Sequence, residues 1–430
     1  VSTHLIGDMA RAVALPYVKR AAGLVTRFIP LPQPMLLVGP GAALRLAETV
    51  GRAGHRGVLL VADAQVLRLG LAAPLIEALQ RSGTPCTVFD GVGADAPIAQ
   101  IEAGIQVFEQ SDCDALVALG GGSVIDAAKT IALACTNQKH PRELAGYFKG
   151  LRAPAPLYAV PTTAGTGSEV TVAAVIADPE HRCKLVIADT RIVPSIAALD
   201  PAMTAGLPRA ITAATGMDAL THAVEAFIGD WSTEKSDRMA LAAMAMVFEH
   251  LPRAYDHGDD LAAREQMALA ATYAGMAFTR ANVGNVHAIA HQLGAWYHTP
   301  HGLANAIMLP GVLRFSLDAA APRLATLAMR AGLGRAGDDE AMLARRFVSG
   351  VESLNRRLGI PRQLDALRAQ DVRALAEAAC AEADGNYPVP RVMSRADCEA
   401  LLRKVLPRAR QKTARRAPGI ARKRPSHPAA

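Results

Sequence analysis

Asp218 and His222 stand four residues apart, His287 and His291 repeat that spacing, and His298 and His301 follow within the next ten positions. On a helix, residues four apart project from one face about one turn from each other, so each pair can offer two donor atoms to a common point. Imidazole nitrogens with one carboxylate suit Fe2+, Zn2+ or a similar divalent ion. The cysteines Cys86, Cys113, Cys135, Cys183, Cys380 and Cys398 form no C-x-x-C pair, which excludes an all-thiolate site. Taken singly these groups have plainer roles: Asp218 can cap or pair, His222 can hydrogen-bond inside a core, and His298 can face solvent. Their grouping among only twelve histidines points to a metal.

A second chemistry is written in glycines. The apolar run Ala115 to Leu119 enters Gly120, Gly121, Gly122 and Ser123, and a helix is predicted from near Val124, carrying Asp126 and Lys129. Glycines at a strand-to-helix turn let the backbone approach a phosphate, while the free N–H groups of the helix start attract its charge. A pyrophosphate site follows, although such a turn also occurs without a ligand. The segment Pro161 to Glu169 places Thr162, Thr163 and further glycines after another apolar run, Tyr158 to Val160. In open parallel sheets, ligands bind beyond the carboxyl ends of strands. Asp63 ends the run Val58 to Ala62, where a carboxylate can accept bonds from an adenosine ribose and repel a 2'-phosphate, or can simply cap a helix. Gly91, Gly93 and Ala96 also fit a loose glycine fingerprint, but Pro97 follows and the segment reads as a surface turn.

The elements that must position these groups divide at Pro208. Up to there, short apolar runs (Met35 to Val38, Val58 to Ala62, Thr87 to Phe89, Ala115 to Leu119, Tyr158 to Val160) alternate with helical stretches such as Ala42 to Ala53 and Val66 to Gln80. This is the mark of crossover units on a parallel sheet. Beyond it, Arg209 to Phe227, Glu234 to His250, Leu261 to Thr279 and Asn285 to Tyr297 carry helical periods and few strand formers. The expected architecture is an α/β Rossmann-like domain with a parallel sheet over residues 31–208, then an all-α helical domain over 209–406, with the active-site cleft between them. Residues 1–30 read as a helical extension and 407–430 as a basic tail.

A chain of 430 residues, 51% hydrophobic, can bury two cores. Its aromatic content of 4% argues against a stacking surface for single-stranded nucleic acid. The net charge of +7 falls largely in RARQKTARRAPGIARKR, from Arg408 to Arg424, so it implies a solvated tail rather than a nucleic-acid-binding face. Scattered cysteines, no apolar run of membrane-spanning length and no clear signal peptide point to a cytoplasmic setting.

At this point GGGSVIDAAK from Gly120, PTTAGTGSEVT from Pro161, ATGMDALTHAVEA from Ala214 and VHAIAHQLGAWYHTPHGLANAIMLP from Val286 carry a match. The chain resembles the iron-containing (group III) alcohol dehydrogenases, of dehydroquinate synthase-like fold, from about Pro34 to Leu406. The resemblance implies Asp218, His222, His287 and His301 as metal ligands, with Fe2+ first and Zn2+ second. It makes His291 a non-ligating histidine near nicotinamide and substrate, able to relay a proton. It implies NAD contacts at Asp63, Gly121, Gly122, Ser123, Thr162, Thr163, Thr171, Lys184 and Leu199, with Asp126 counted in the same site. A small alcohol or aldehyde as substrate and a homodimer or larger homo-oligomer are implied as well.

Gly311 stands where many relatives carry histidine, and Asn282 and Asn285 replace common motif residues; these departures bear on substrate choice. A dehydroquinate synthase-like lyase would share the fold, NAD and metal. It uses Glu where Asp218 stands, however, and needs several basic residues for a phosphorylated sugar acid. A non-catalytic binding protein with a basic tail would be free to lose ligand positions and nucleotide loops that are intact here.

Overall fold

The computed structural model describes residues 29–407; the helical stretch expected within the first thirty residues, and the basic tail, fall almost wholly outside them. Chain order runs β1 (Met35–Val38), α1 (Ala42–Gly51), β2 (Val58–Ala62), α2 (Ala64–Arg68), α3 (Ala73–Arg81), β3 (Cys86–Phe89), α4 (Ile98–Gln110), β4 (Ala115–Gly120), α5 (Gly122–Asn137), β5 (Gly146–Tyr147), β6 (Leu157–Pro161), β7 (Ala173–Asp178), β8 (Cys183–Ala188), β9 (Ile196–Leu199) and α6 (Ala202–Ala205). Helices follow: α7 (Arg209–Ile228), α8 (Glu234–Asp256), α9 (Leu261–Ala281), α10 (Asn285–Tyr297), α11 (His301–Phe315), α12 (Ala321–Arg330), α13 (Glu340–Arg357), α14 (Val372–Asn386) and α15 (Arg395–Lys404).

Six strands form one parallel sheet in the order β1-β9-β6-β4-β2-β3. Strands β2, β4 and β6 lie inside it and are buried along their whole length, which is why they read as unbroken apolar runs. Alternate residues feed two layers. Val58, Leu60 and Ala62 pack with α1 and α3, whereas Leu59 and Val61 pack with α4 and α5. From β2 the chain moves outward to β3 and then returns past β2 to β4, so the β2–β4 gap is a topological switch point, with α2 and α5 leaving it towards opposite faces.

Three details differ from the sequence reading. The stretch Val66 to Gln80 is two helices, because Gly70 adopts φ +72 and turns the chain between α2 and α3. A second sheet, β5-β8-β7, was not foreseen; its β7–β8 hairpin packs over α5 and carries Lys184. The Gly91 to Ala96 segment is not a plain surface turn. Asp95 and Ala96 take φ +64 and +48, the Asp95 N–H donates to Ser123 Oγ (3.1 Å), and α4 starts immediately after Pro97.

The helical part has its own apolar core. Helix α7 is buried from Gly216 to Ile228, and a helix apolar on all sides belongs at the centre of such a bundle. Asp218, His222 and Glu225 are its polar exceptions in that stretch, apart from Thr221, whose hydroxyl bonds back to Met217 O.

Candidate metal and nucleotide site

A cleft of about 640 Å3 runs between the sheet's carboxyl edge and the helices. At its floor, ligand atoms of Asp218, His222, His287 and His301 all lie within 4.8 Å of one another. Helix α7 supplies the first two, one turn apart, with His222 Nδ1 4.0 Å from Asp218 Oδ2. Helix α10 supplies His287 from its first turn. His301, the first residue of α11, sets Nε2 3.5 Å from Asp218 Oδ1. The approach of α11 to α7 depends on Gly302, where a Cβ would lie 2.3 Å from Ala214 O.

Burial pushes the imidazoles of His222 and His301 well below the usual histidine range, helped by His287 for the first and Lys184 for the second. Both are therefore neutral, the state in which an imidazole can ligate a metal. Burial raises the carboxyl of Asp218, opposed chiefly by His287 and by the Asn305 amide. The donor set is one the protein alone leaves unsatisfied. Asn305 Nδ2 has two hydrogens but lies 2.6 Å from Asp218 Oδ1, 3.2 Å from His287 Nε2 and 3.1 Å from His301 Nε2. His222 Nδ1, His301 Nδ1 and Asn305 Oδ1 are buried without a hydrogen-bond partner. Converging lone pairs of three imidazoles and a carboxylate fit a divalent cation.

His291 lies outside this set. Its ring stacks 5.3 Å from that of His301, and its Nδ1 is 2.6 Å from Glu382 Oε1 on α14. His298 is exposed and ends α10 in the left-handed conformation at φ 53.

The residues expected at a nucleotide fall along the sheet's carboxyl edge. Gly122 opens α5 against Thr166, whose Cγ2 would stand 2.5 Å from any added Cβ; this close approach explains the glycine. Gly122, Ser123, Asp126, Thr171 and Lys184 line the cleft. Gly121, Thr162 and Thr163 lie beside it: Thr162 N–H donates to Gly120 O, and Thr163 is the nearest neighbour of Gly121. Asp63 ends β2 across the switch point, and its Oδ1 caps α2 by accepting from Gln65 N–H and Val66 N–H (2.8 and 2.9 Å). Leu199 ends β9, buried, with its carbonyl accepting from Gly39 N–H.

Some of these side chains hold the protein's own framework. Asp126 accepts from Ser168 Oγ (2.5 Å) and Val175 N–H (3.0 Å), and Thr171 Oγ1 meets the buried Lys129 Nζ at 2.9 Å. Lys184 Nζ is 2.8 Å from Asp95 Oδ1. Of the three departures, Asn282 lines the cleft. Gly311 instead faces Leu401, and Asn285 donates to Arg391 O, so neither shapes the pocket.

Sequence reasoning missed Glu225, Asn305 and Glu382. Glu225 follows His222 by three positions and Asn305 follows His301 by four, so helical spacing could have flagged both. Glu382 carried no such signal.

Two family profiles match the chain, that of iron-containing alcohol dehydrogenase over residues 33–201 and that of the Fe-containing alcohol dehydrogenase family, C-terminal, over 212–406. The NAD-dependent methanol dehydrogenase of Bacillus methanolicus is 37% identical, over 78% of this chain and 87% of that enzyme. The 1,3-propanediol dehydrogenase of Klebsiella pneumoniae is 37% identical, over 85% and 95%. A crystal structure of 1,3-propanediol oxidoreductase superposes with a TM-score of 0.85 at 35% identity, covering 88% of this chain and all of that one.

Proposed function

Given that the chain belongs to the iron-containing alcohol dehydrogenase family, we propose that Asp218, His222, His287 and His301 hold its divalent cation and that His291 moves the proton. The activity is that of a metal-dependent, NAD-linked alcohol dehydrogenase or aldehyde reductase acting on a small alcohol or aldehyde. The observation that carries the site assignment is the gathering of four donors at the floor of a cleft whose other wall is the glycine-opened start of α5.

When bound, the cation supplies Lewis acidity at the substrate oxygen and NAD accepts the hydride. The chain's own residues do the rest. The turn Gly121 to Ser123 and the start of α5 receive pyrophosphate, and Asp63 at the end of β2 selects against a 2'-phosphate. Glu382 accepts a hydrogen bond from His291 Nδ1–H, which leaves Nε2 as the ring nitrogen that can take up a proton. From there it can take the alcohol proton or return one to the product of reduction.

Among the described residues lining the cleft, Lys184 is the one lysine or arginine, which is too little positive charge for the phosphorylated sugar acid of a dehydroquinate synthase-like lyase. The division of labour is read as nucleotide binding by residues 31–208 and metal binding by 209–406. A homodimer or larger assembly is supported by β1, which pairs on one side only among the described residues and leaves Met35 60% exposed. No described helix is long and apolar enough to cross a membrane, and all six thiols are free, which supports a cytoplasmic reading.

The test is NADH formation from a panel of short alcohols and diols by protein stripped with chelator and resupplied with Fe2+ or Zn2+. Metal-restored turnover is expected; turnover that survives complete stripping would remove the cation from the assignment.

A further inference from the structure

Helix α10 brings both His287 and His291 to the cleft, and a single buried carboxylate grips its first turn. Glu225, 4% exposed, stands three residues beyond His222 on α7. Its Oε2 accepts from Gly284 N–H (2.8 Å) and from His287 Nδ1 (2.6 Å), and its Oε1 accepts from Val286 N–H (2.7 Å). The backbone donors are among those that a helix start leaves unpaired. Gly284 keeps the space open, since a Cβ there would lie 2.8 Å from Oε1.

This geometry does more than cap a helix. A carboxylate at Nδ1 accepts a hydrogen bond from Nδ1–H, which fixes that tautomer and turns the Nε2 lone pair towards Asp218 and His301. The same contact makes the ring a stronger donor. Glu225 also ties α10 to α7, the helix that bears Asp218 and His222. We infer that Glu225 is a positioning residue that sets the metal site before any cation arrives, so that the metal-free protein presents His287 already aimed. The inference rests on the ligand assignment proposed above.

The experiment compares full-length wild type, Glu225→Gln and His287→Ala after chelator stripping. Fe2+ and Zn2+ affinities are measured by competition with a chromophoric chelator, alongside NAD affinity and circular dichroism. Glu225→Gln should bind metal about 10- to 100-fold more weakly while keeping its fold and its NAD affinity. Folded Glu225→Gln with metal affinity within twofold of wild type overturns the inference. His287→Ala binding metal as tightly as wild type would instead overturn the ligand assignment beneath it. Should Glu225→Gln fail to fold, 15N-histidine NMR of stripped wild type decides: an Nδ1–H tautomer at His287 upholds the inference, and an Nε2–H tautomer overturns it.

Discussion

His291 Nδ1 and Glu382 Oε1 are 2.6 Å apart, although ninety-one positions separate them in the chain. Tyr387 OH donates to the same oxygen at 2.6 Å, and Gln292 Nε2 donates to the other at 2.7 Å. Burial alone would raise the Glu382 carboxyl, but attraction to His291 and the hydrogen bonds from His291 and Tyr387 outweigh it and hold the group below its ordinary range. Glu382 is therefore an anion that fixes the orientation and tautomer of His291. Replacing it with Leu should lower kcat by about 10²-fold while metal content and NAD affinity stay near wild type. Steady-state kinetics with metal analysis checks this, and an unchanged kcat would take the pair out of the reaction.

Asp63 makes a different kind of prediction, because its two roles can be separated. As the cap of α2 it accepts two backbone bonds, and a Gly replacement at such a position costs only a few tenths of a kcal/mol. As a charge at the ribose it should repel a 2'-phosphate by about 1–4 kcal/mol. Asp63→Gly should thus raise NADP use relative to NAD by about tenfold or more with little loss of thermal stability. A cofactor ratio equal to that of wild type would leave only the cap.

Much of this was legible because helices and strands repeat. The spacing of Asp218 with His222 and of His287 with His291 survives in one dimension, and so does the passage from a buried strand into Gly120 to Ser123. The contacts that finish the site join residues far apart on different helices. Glu225 meets His287 across 62 positions and Glu382 meets His291 across 91, and no local period reports either. The β7–β8 hairpin escaped notice for another reason. Only Ala174, Ile176 and Asp178 of β7 are fully buried, and an Asp ending that inward row breaks the apolar alternation. The turn at Ala94 and Asp95 was legible as a turn, but its bond to Ser123 joins residues 28 positions apart and left no local trace.

Asp178 gives a pH prediction with a definite sign. Burial would raise its carboxyl, but hydrogen bonds from the His181 side chain and N–H, together with Arg142 at 3.0 Å, hold it below the usual carboxylate range. A folded-state pKa below the unfolded one means that the unfolded chain binds the proton first as pH falls. The stability this group contributes is then present above about pH 4 and is lost below it as pH falls through the folded value. Wild type should exceed Asp178→Asn in thermal midpoint by a steady margin from pH 5 to 7, and the margin should shrink towards pH 3. A margin unchanged at pH 3 would show that the carboxylate charge is not what holds the hairpin turn.

Gly302 tests whether the metal set depends on how closely α11 approaches α7. It directly follows His301, and a Cβ on it would stand 2.3 Å from Ala214 O and 3.2 Å from Asp218 Cβ. The first obstacle is α7 backbone, which cannot swing aside as a side chain can, so the start of α11 has to move. That motion carries His301 away from Asp218 and opens the donor set. Overpacking of this kind costs about 1–3 kcal/mol, whereas a ligand displaced by even a fraction of an ångström should weaken the metal more than the fold. Gly302→Ala should therefore bind Fe2+ and Zn2+ at least tenfold more weakly, by analogy with the loss of a ligand-orienting group, with a moderate fall in thermal midpoint. Gly206→Ala is the control, since nothing lies within 4 Å of a Cβ there and its φ of −83 suits any residue. Metal affinity equal in the two variants would mean that α11 can retreat without moving His301, and the close helix contact would then serve packing alone.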